Sequence, residues 1–191
     1  MSVLGITPGS PRIVLLLSAA HSARESNLSV VREVMAEGIG VVVVTANQPA
    51  HPLAGYYRKN GINTTGIRFI DMVTKYAGGD APPDMPESVF LSRPDDLTGL
   101  SIAITEILKD PVDQNTCVLV DSINAMLIYL SSADILKFIH YLASKLKILG
   151  ISGVFIVVES GIDPSLLSRL TAITDSVIDT ATTKGTETRQ A

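Results

Sequence analysis

Three uninterrupted apolar runs, Ile13–Leu17, Val41–Val44 and Val154–Val158, constrain this chain more than any other feature. None approaches the 18 or so apolar residues that a spanning helix needs. None alternates with polar residues, as a half-exposed strand would. A short apolar run without alternation is a strand buried on both faces, and such strands belong to parallel sheets covered by helices on both sides. The same Val- and Ile-rich pattern predicts strands at Arg12–Leu17, Gly40–Thr45, Ile67–Asp71, Thr116–Asp121, Gly153–Val158 and Ser176–Asp179, with a short one at Val89–Leu91.

Helix signals fill the gaps. From Ser131 to Leu149, residues Ile135, Leu136, Ile139, Leu142, Ala143 and Leu146 share one face. Ser131-x-x-Asp134 is a capping box and Gly150 a C-cap. Asp163-Pro164 opens another helix, with Pro at its first position. Asp95 or Asp96 starts a third, which ends at Leu108, before Pro111. Strands alternating with helices imply a three-layer α/β sandwich with a mainly parallel central sheet. The stretch from Tyr76 to Glu87 reads as a surface loop.

Composition sets the outer bounds. At 191 residues the chain suits one domain: an extension at 1–11, a single domain over 12–180 and a polar tail at 181–191, expected to be disordered. Only 18% of residues are charged, well under the usual quarter, which argues against disorder or a coiled coil. The net charge of −4 leaves no electrostatic footprint for nucleic acid or an anionic membrane. One cysteine, Cys117, excludes an internal disulfide and a cysteine-rich zinc site, and the three histidines are scattered. The compartment reads as reducing, hence cytoplasmic. The outline of a short secretory leader runs from Arg12 to Ala23. Pro8, Pro11 and the single charge favour a first buried strand instead.

Ligands of open α/β sheets bind beyond the carboxyl ends of the strands. The loop after the first strand reads Ser18-Ala-Ala-His-Ser-Ala-Arg-Glu-Ser26. Laid on the phosphate-loop pattern G-x-x-x-x-G-K-[ST], it supplies Ser18, Ala23, Arg24 and Glu25 at the defining positions. Val118-Leu-Val-Asp121-Ser122 looks like a Walker B strand, and Thr45-Ala-Asn-Gln-Pro49 follows the second strand. In this order and spacing the chain, from about Pro11 to Asp179, resembles the RecA/KaiC-type P-loop ATPases, most of all their small archaeal single-domain members.

That resemblance implies a P-loop NTPase fold whose Walker A loop is degenerate. Both glycines, which let backbone N–H groups curl around an anion, are replaced by Ser18 and Ala23. Arg24 stands for the phosphate-gripping lysine, and the two are not like for like. Glu25 stands for the magnesium hydroxyl. A carboxylate beside a triphosphate is repulsive by about 4 kcal/mol per unit pair at 4 Å and an effective dielectric of 20. Ser26 is a substitute hydroxyl. Asn47-Gln48 occupies the place of the acidic pair that activates water in KaiC-like relatives, and amides take no proton at neutral pH.

Two readings of the loop stand. In one, Ser22-Ala-Arg-Glu25 is a capping box that closes its own helix end and excludes phosphate. In the other, Arg24 grips phosphate, with Ser22, Ala23, Ser26, Asn47, Asp121 and Ser122 around the nucleotide and Asp121 holding magnesium. Asp121 also suits a turn or helix cap before Ser122, and Asn47-Gln48-Pro49 a turn into a helix from about Ala50 to Asn60.

The remaining reactive residues point to structure. His140 sits beside an apolar helix face and reads as packed or half-exposed. His51 has no visible partner, and His21 is a lone histidine in the first loop. Cys117 is strand core, and Arg93 with Asp95 and Asp96 is a solvated charge cluster. The expected function is a non-catalytic KaiC-like regulatory or scaffold protein, a pseudo-ATPase acting through a protein partner or as a homo-oligomer. It needs no cofactor, nucleic acid or membrane. The alternative is an ATP-binding protein or weak ATPase using ATP and Mg. A third, an α/β enzyme with an unrelated ligand at the same strand ends, has no motif behind it.

Overall fold

The computed structural model describes residues 3–109 and 115–180. The tail at 181–191 lies outside the described residues. Seven strands form one sheet, β1 (Ile13–Ser18), β2 (Gly40–Thr45), β3 (Ile67–Asp71), β4 (Val89–Phe90), β5 (Thr116–Asp121), β6 (Ser152–Val158) and β7 (Ser176–Asp179). Their order across the sheet is β4-β3-β2-β5-β6-β1-β7. Every pairing is parallel, so the expected mainly parallel sheet is parallel throughout.

Successive side chains on the inner strands enter opposite cores, which is why the runs need no polar alternation. Val42, Val44, Val118 and Val120 face one core, with α3 (Leu97–Leu108), α4 (Ile123–Met126), α5 (Ser132–Leu149) and α6 (Pro164–Ile173). Val41, Val43, Cys117 and Leu119 face the other, with α1 (Ala23–Ala36) and α2 (Ala50–Lys59). The extension contributes to this second core through the buried Leu4 and Ile6.

Local signals act where the sequence places them. Of the two candidates, Asp96 is the cap of α3 and accepts the Gly99 N–H. The Ser131 hydroxyl accepts the Asp134 N–H and donates to its carboxylate, and Gly150 adopts a left-handed φ of 67°. Asp163 accepts from Ser165 and Leu166 ahead of Pro164. His51, for which the sequence suggests no partner, lies in α2 with its Nε2 3.4 Å from Asp84 Oδ2. Cys117 is fully buried in β5, as expected of strand core, and burial pushes its thiol up to about 12. Arg93 and Asp95 pair at 2.6 Å in the open, as a solvated cluster should. His140 is exposed on α5 rather than packed, because it falls outside the apolar stripe.

Candidate functional site

The carboxyl ends of the strands form a rim whose polar groups are largely joined to one another. Ser18, Thr45, Asp71 and Asp121 end β1, β2, β3 and β5, and all four are buried. Thr45 is paired in register with both Asp71 and Asp121.

After β1 the chain makes a 3-10 turn, Ala20–Ser22, before α1 begins at Ala23. This turn overturns the expected capping box. An N-cap residue is normally extended, so that its side chain reaches forward to the next amides. Ser22 has φ −112° and ψ 2°, and its side chain makes no cap hydrogen bond. Its hydroxyl turns back to donate to the Ala19 carbonyl at 3.2 Å. Ser18 Oγ lies 2.8 Å from Ser26 Oγ and 3.4 Å from Ser22 Oγ. Three hydroxyls thus fill the loop where the resemblance places phosphate. Arg24 leaves the loop sideways, its guanidinium 3.9 Å from the Tyr56 ring centroid, a favourable cation–π stack. Glu25 is exposed.

Asp121 Oδ2 accepts from Asn27 Nδ2 at 2.8 Å, and Asn27 Oδ1 accepts from the Tyr57 hydroxyl at 2.5 Å. One chain of hydrogen bonds therefore ties β5 to α1 and α2. Burial lifts Asp121 from 3.8 to about 6, against the lowering effect of Asn27. Burial raises the Tyr57 hydroxyl as well, and the Asp121 charge adds to the rise. The Asp121–Ser122 peptide is cis. Ser122 caps α4 through the Ala125 N–H. Next to it, Asn124 donates to the Val158 carbonyl and accepts the Val158 N–H, closing β6 onto the same turn.

Asp71 holds the opposite part of the rim. It accepts from the N–H groups of Ala50, Val73 and Thr74 and from the Thr74 hydroxyl, at 2.6–2.7 Å. Thr45 donates to the Gln48 carbonyl at 2.6 Å, which makes Asn47-Gln48-Pro49 the expected turn into α2 and leaves Asn47 exposed.

The structure thus brings Ser22, Ser26 and Ser18 together, and separately Asp121 and Ser122, while Arg24 stacks on Tyr56 and Asn47 is exposed. Ser22, Glu25 and Ser26 also line a cleft of about 290 Å³ against Leu4, Leu16 and Glu33. Asn27, Tyr57, Asp71 and Asn124 escaped the sequence reading. Asp71 had a signal, since it ends a buried strand as Asp121 does. Asn27 had one too, a polar residue beside Leu28 on the buried face of α1.

Among the described residues no group of three or more His, Cys, Asp or Glu can hold a metal ion, and no helix is long and apolar enough to cross a membrane.

Comparison with known proteins locates the chain. No curated protein matches it. Two archaeal structures share the fold. One is the uncharacterized protein PH0321 of Pyrococcus horikoshii, crystallised with an unknown peptide. It has a TM-score of 0.68 at 11% identity over 88% of this chain and 76% of that one. The other is the KaiC-like protein PH0186 of Pyrococcus horikoshii OT3, with a TM-score of 0.60 at 14% identity over 91% and 80%. With the parallel sheet, these likenesses give the chain an α/β, RecA/KaiC-like fold. A family model, that of the family of unknown function DUF7504, matches residues 12–180, and the chain belongs to that family.

Proposed function

We propose that this DUF7504 member is a pseudo-ATPase, a KaiC-like regulatory or scaffold protein that works through protein contacts rather than catalysis. One observation carries the reading: the groups a nucleotide would need are already engaged within the fold. Ser26 bonds Ser18, Arg24 stacks on Tyr56, and Asp121 accepts from Asn27. A phosphate would have to displace these contacts before making its own. The neighbouring cleft adds to the argument, because its described lining holds no basic side chain to receive a triphosphate. That the PH0321 structure holds an unknown peptide accords with a protein-binding role.

The reading places the protein in the cytoplasm, with a protein partner or a second copy of itself and without nucleic acid. The competing reading keeps ATP and Mg, with Ser26 and Asp121 serving the metal. Thermal unfolding in millimolar MgATP separates the two. A ligand at 100 times its dissociation constant stabilises a binder by about 2.7 kcal/mol, which for this size raises Tm by roughly 5–11 °C. The expected result is no rise beyond that with MgCl₂ alone. A rise of the full size overturns the pseudo-ATPase reading.

A further inference from the structure

The outer face of α5 carries large apolar side chains that the fold leaves uncovered. Tyr141 is 45% exposed, Leu149 48% and Ile148 85%. With Lys145 they stand at i, i+4, i+7 and i+8, on one side of the helix. Ile102 on α3, 58% exposed, lies one turn from Thr105, which joins the two helices through Lys145. One shallow groove is lined by this ridge itself, a second lies between α5 and the end of α6, and the two share His140 and Ser144. An apolar surface of this kind, ringed by polar groups, is how a protein-binding face differs from scattered exposed residues.

Lys145 sits at the centre. Its ammonium donates to Thr105 Oγ1 at 2.5 Å and to the Tyr141 hydroxyl at 3.3 Å, and lies 5.7 Å from the Tyr141 ring centroid. Among the described residues no carboxylate comes within ion-pair reach of it, whereas Lys109 and Lys147 pair with Glu106 and Asp175. No acidic side chain lines either groove, on a chain whose net charge is −4. Covering this face desolvates a positive charge held only by neutral oxygens, which is costly unless the partner brings the opposite charge.

We propose that this face docks an acidic amphipathic helix of a partner protein. Its aliphatic side chains pack on Tyr141, Ile148 and Leu149, and one of its glutamates or aspartates pairs with Lys145. The inference rests on the reading of the chain as a protein-contact scaffold and names its partner class. A second copy fits poorly, because in a two-fold contact through this face the other copy presents the same groove linings, which hold no carboxylate for Lys145. An anionic membrane fits poorly too. Lipid-binding segments gather four to eight basic residues, and α5 has Lys137, Lys145 and a Lys147 already committed to Asp175.

The test uses three fluorescent model peptides, amphipathic helices of about 18 residues that differ at one position beside the apolar stripe, glutamate, glutamine or lysine. The expected result, by anisotropy, is binding of the glutamate peptide about tenfold tighter than the lysine peptide, with NMR shifts centred on Tyr141, Lys145 and Ile148. Lys145→Glu should reverse the preference, and Ile148→Asp, at a site too exposed to disturb folding, should abolish binding of all three. Equal affinity for the glutamate and lysine peptides overturns the proposal, as does no binding up to about millimolar peptide. A dimer that Ile148→Asp dissolves assigns the face to a second copy and overturns it. Tighter binding to phosphatidylglycerol vesicles than to the glutamate peptide does the same. A Tm rise with MgATP alongside intact charge preference would remove the pseudo-ATPase reading and leave this surface standing.

Discussion

Asp71 and Asp121 flank the same strand, end in register with the same Thr45 and are both buried, yet they are held in opposite ways. Four donors converge on Asp71, three of them backbone N–H groups from the start of α2 and the turn after β3. One side-chain amide, Asn27, reaches Asp121, and burial lifts that carboxyl to about 6. A buried carboxylate is tolerated in proportion to the dipoles that replace its water. Asp71 is therefore an organiser of the rim, and Asp121 a charge kept at some cost to folding. The lesson concerns function as much as stability. The strand end with its donors in place is the one the resemblance ignores, and the strand end it singles out is the less well served.

Breaking the first side gives the largest effect. Asp71→Ala strands the buried Ala50 amide at the start of α2 and the part-buried Val73 and Thr74 amides after β3, and should cost about 3–5 kcal/mol. Urea unfolding measures it, and a loss below about 1 kcal/mol would put the two aspartates on one footing.

The second side is read through pH. The folded pKa of Asp121 lies above its ordinary 3.8, so the native state binds the proton more tightly than the unfolded chain. The penalty is absent below about pH 4 and complete above about pH 6. Across that window Asp121 should remove up to about 3 kcal/mol as pH rises. Asp121→Asn should flatten this part of the profile and match or exceed the wild type at neutral pH. A variant with an unchanged slope would show that Asp121 is solvated as well as Asp71. The smallest effect belongs to Tyr57→Phe. It removes the donor behind Asn27 and should cost about 0.5–1.5 kcal/mol in thermal or urea unfolding. Coupling with Asp121→Asn in a double-mutant cycle should exceed the few tenths expected of independent sites.

Much of the fold was legible because it rests on short-range rules. Apolar runs without alternation announce strands covered on both faces, as β2 and β5 are, and β2, β3, β5 and the half-exposed edge strand β7 begin and end at the expected residues. Asp96, Ser131, Asp163 and Gly150 cap their helices because each cap needs only the next few residues. Ser22 obeys the same sequence rule and breaks it in space. The 3-10 turn ahead of α1 denies it the extended backbone that a cap requires.

The chain itself therefore determined the layers, the strands and most helix ends, because periodicity and capping act over a few residues. Tertiary structure alone decided where Arg24, Asn27 and Tyr57 found their partners. Arg24 reaches Tyr56 on the next helix, Tyr57 reaches Asn27 across 30 positions, and Asn27 reaches Asp121 across 94. Partners that far apart are chosen by which helix packs on which strand, since a buried polar atom must bond to whatever donor or acceptor the packing brings within reach.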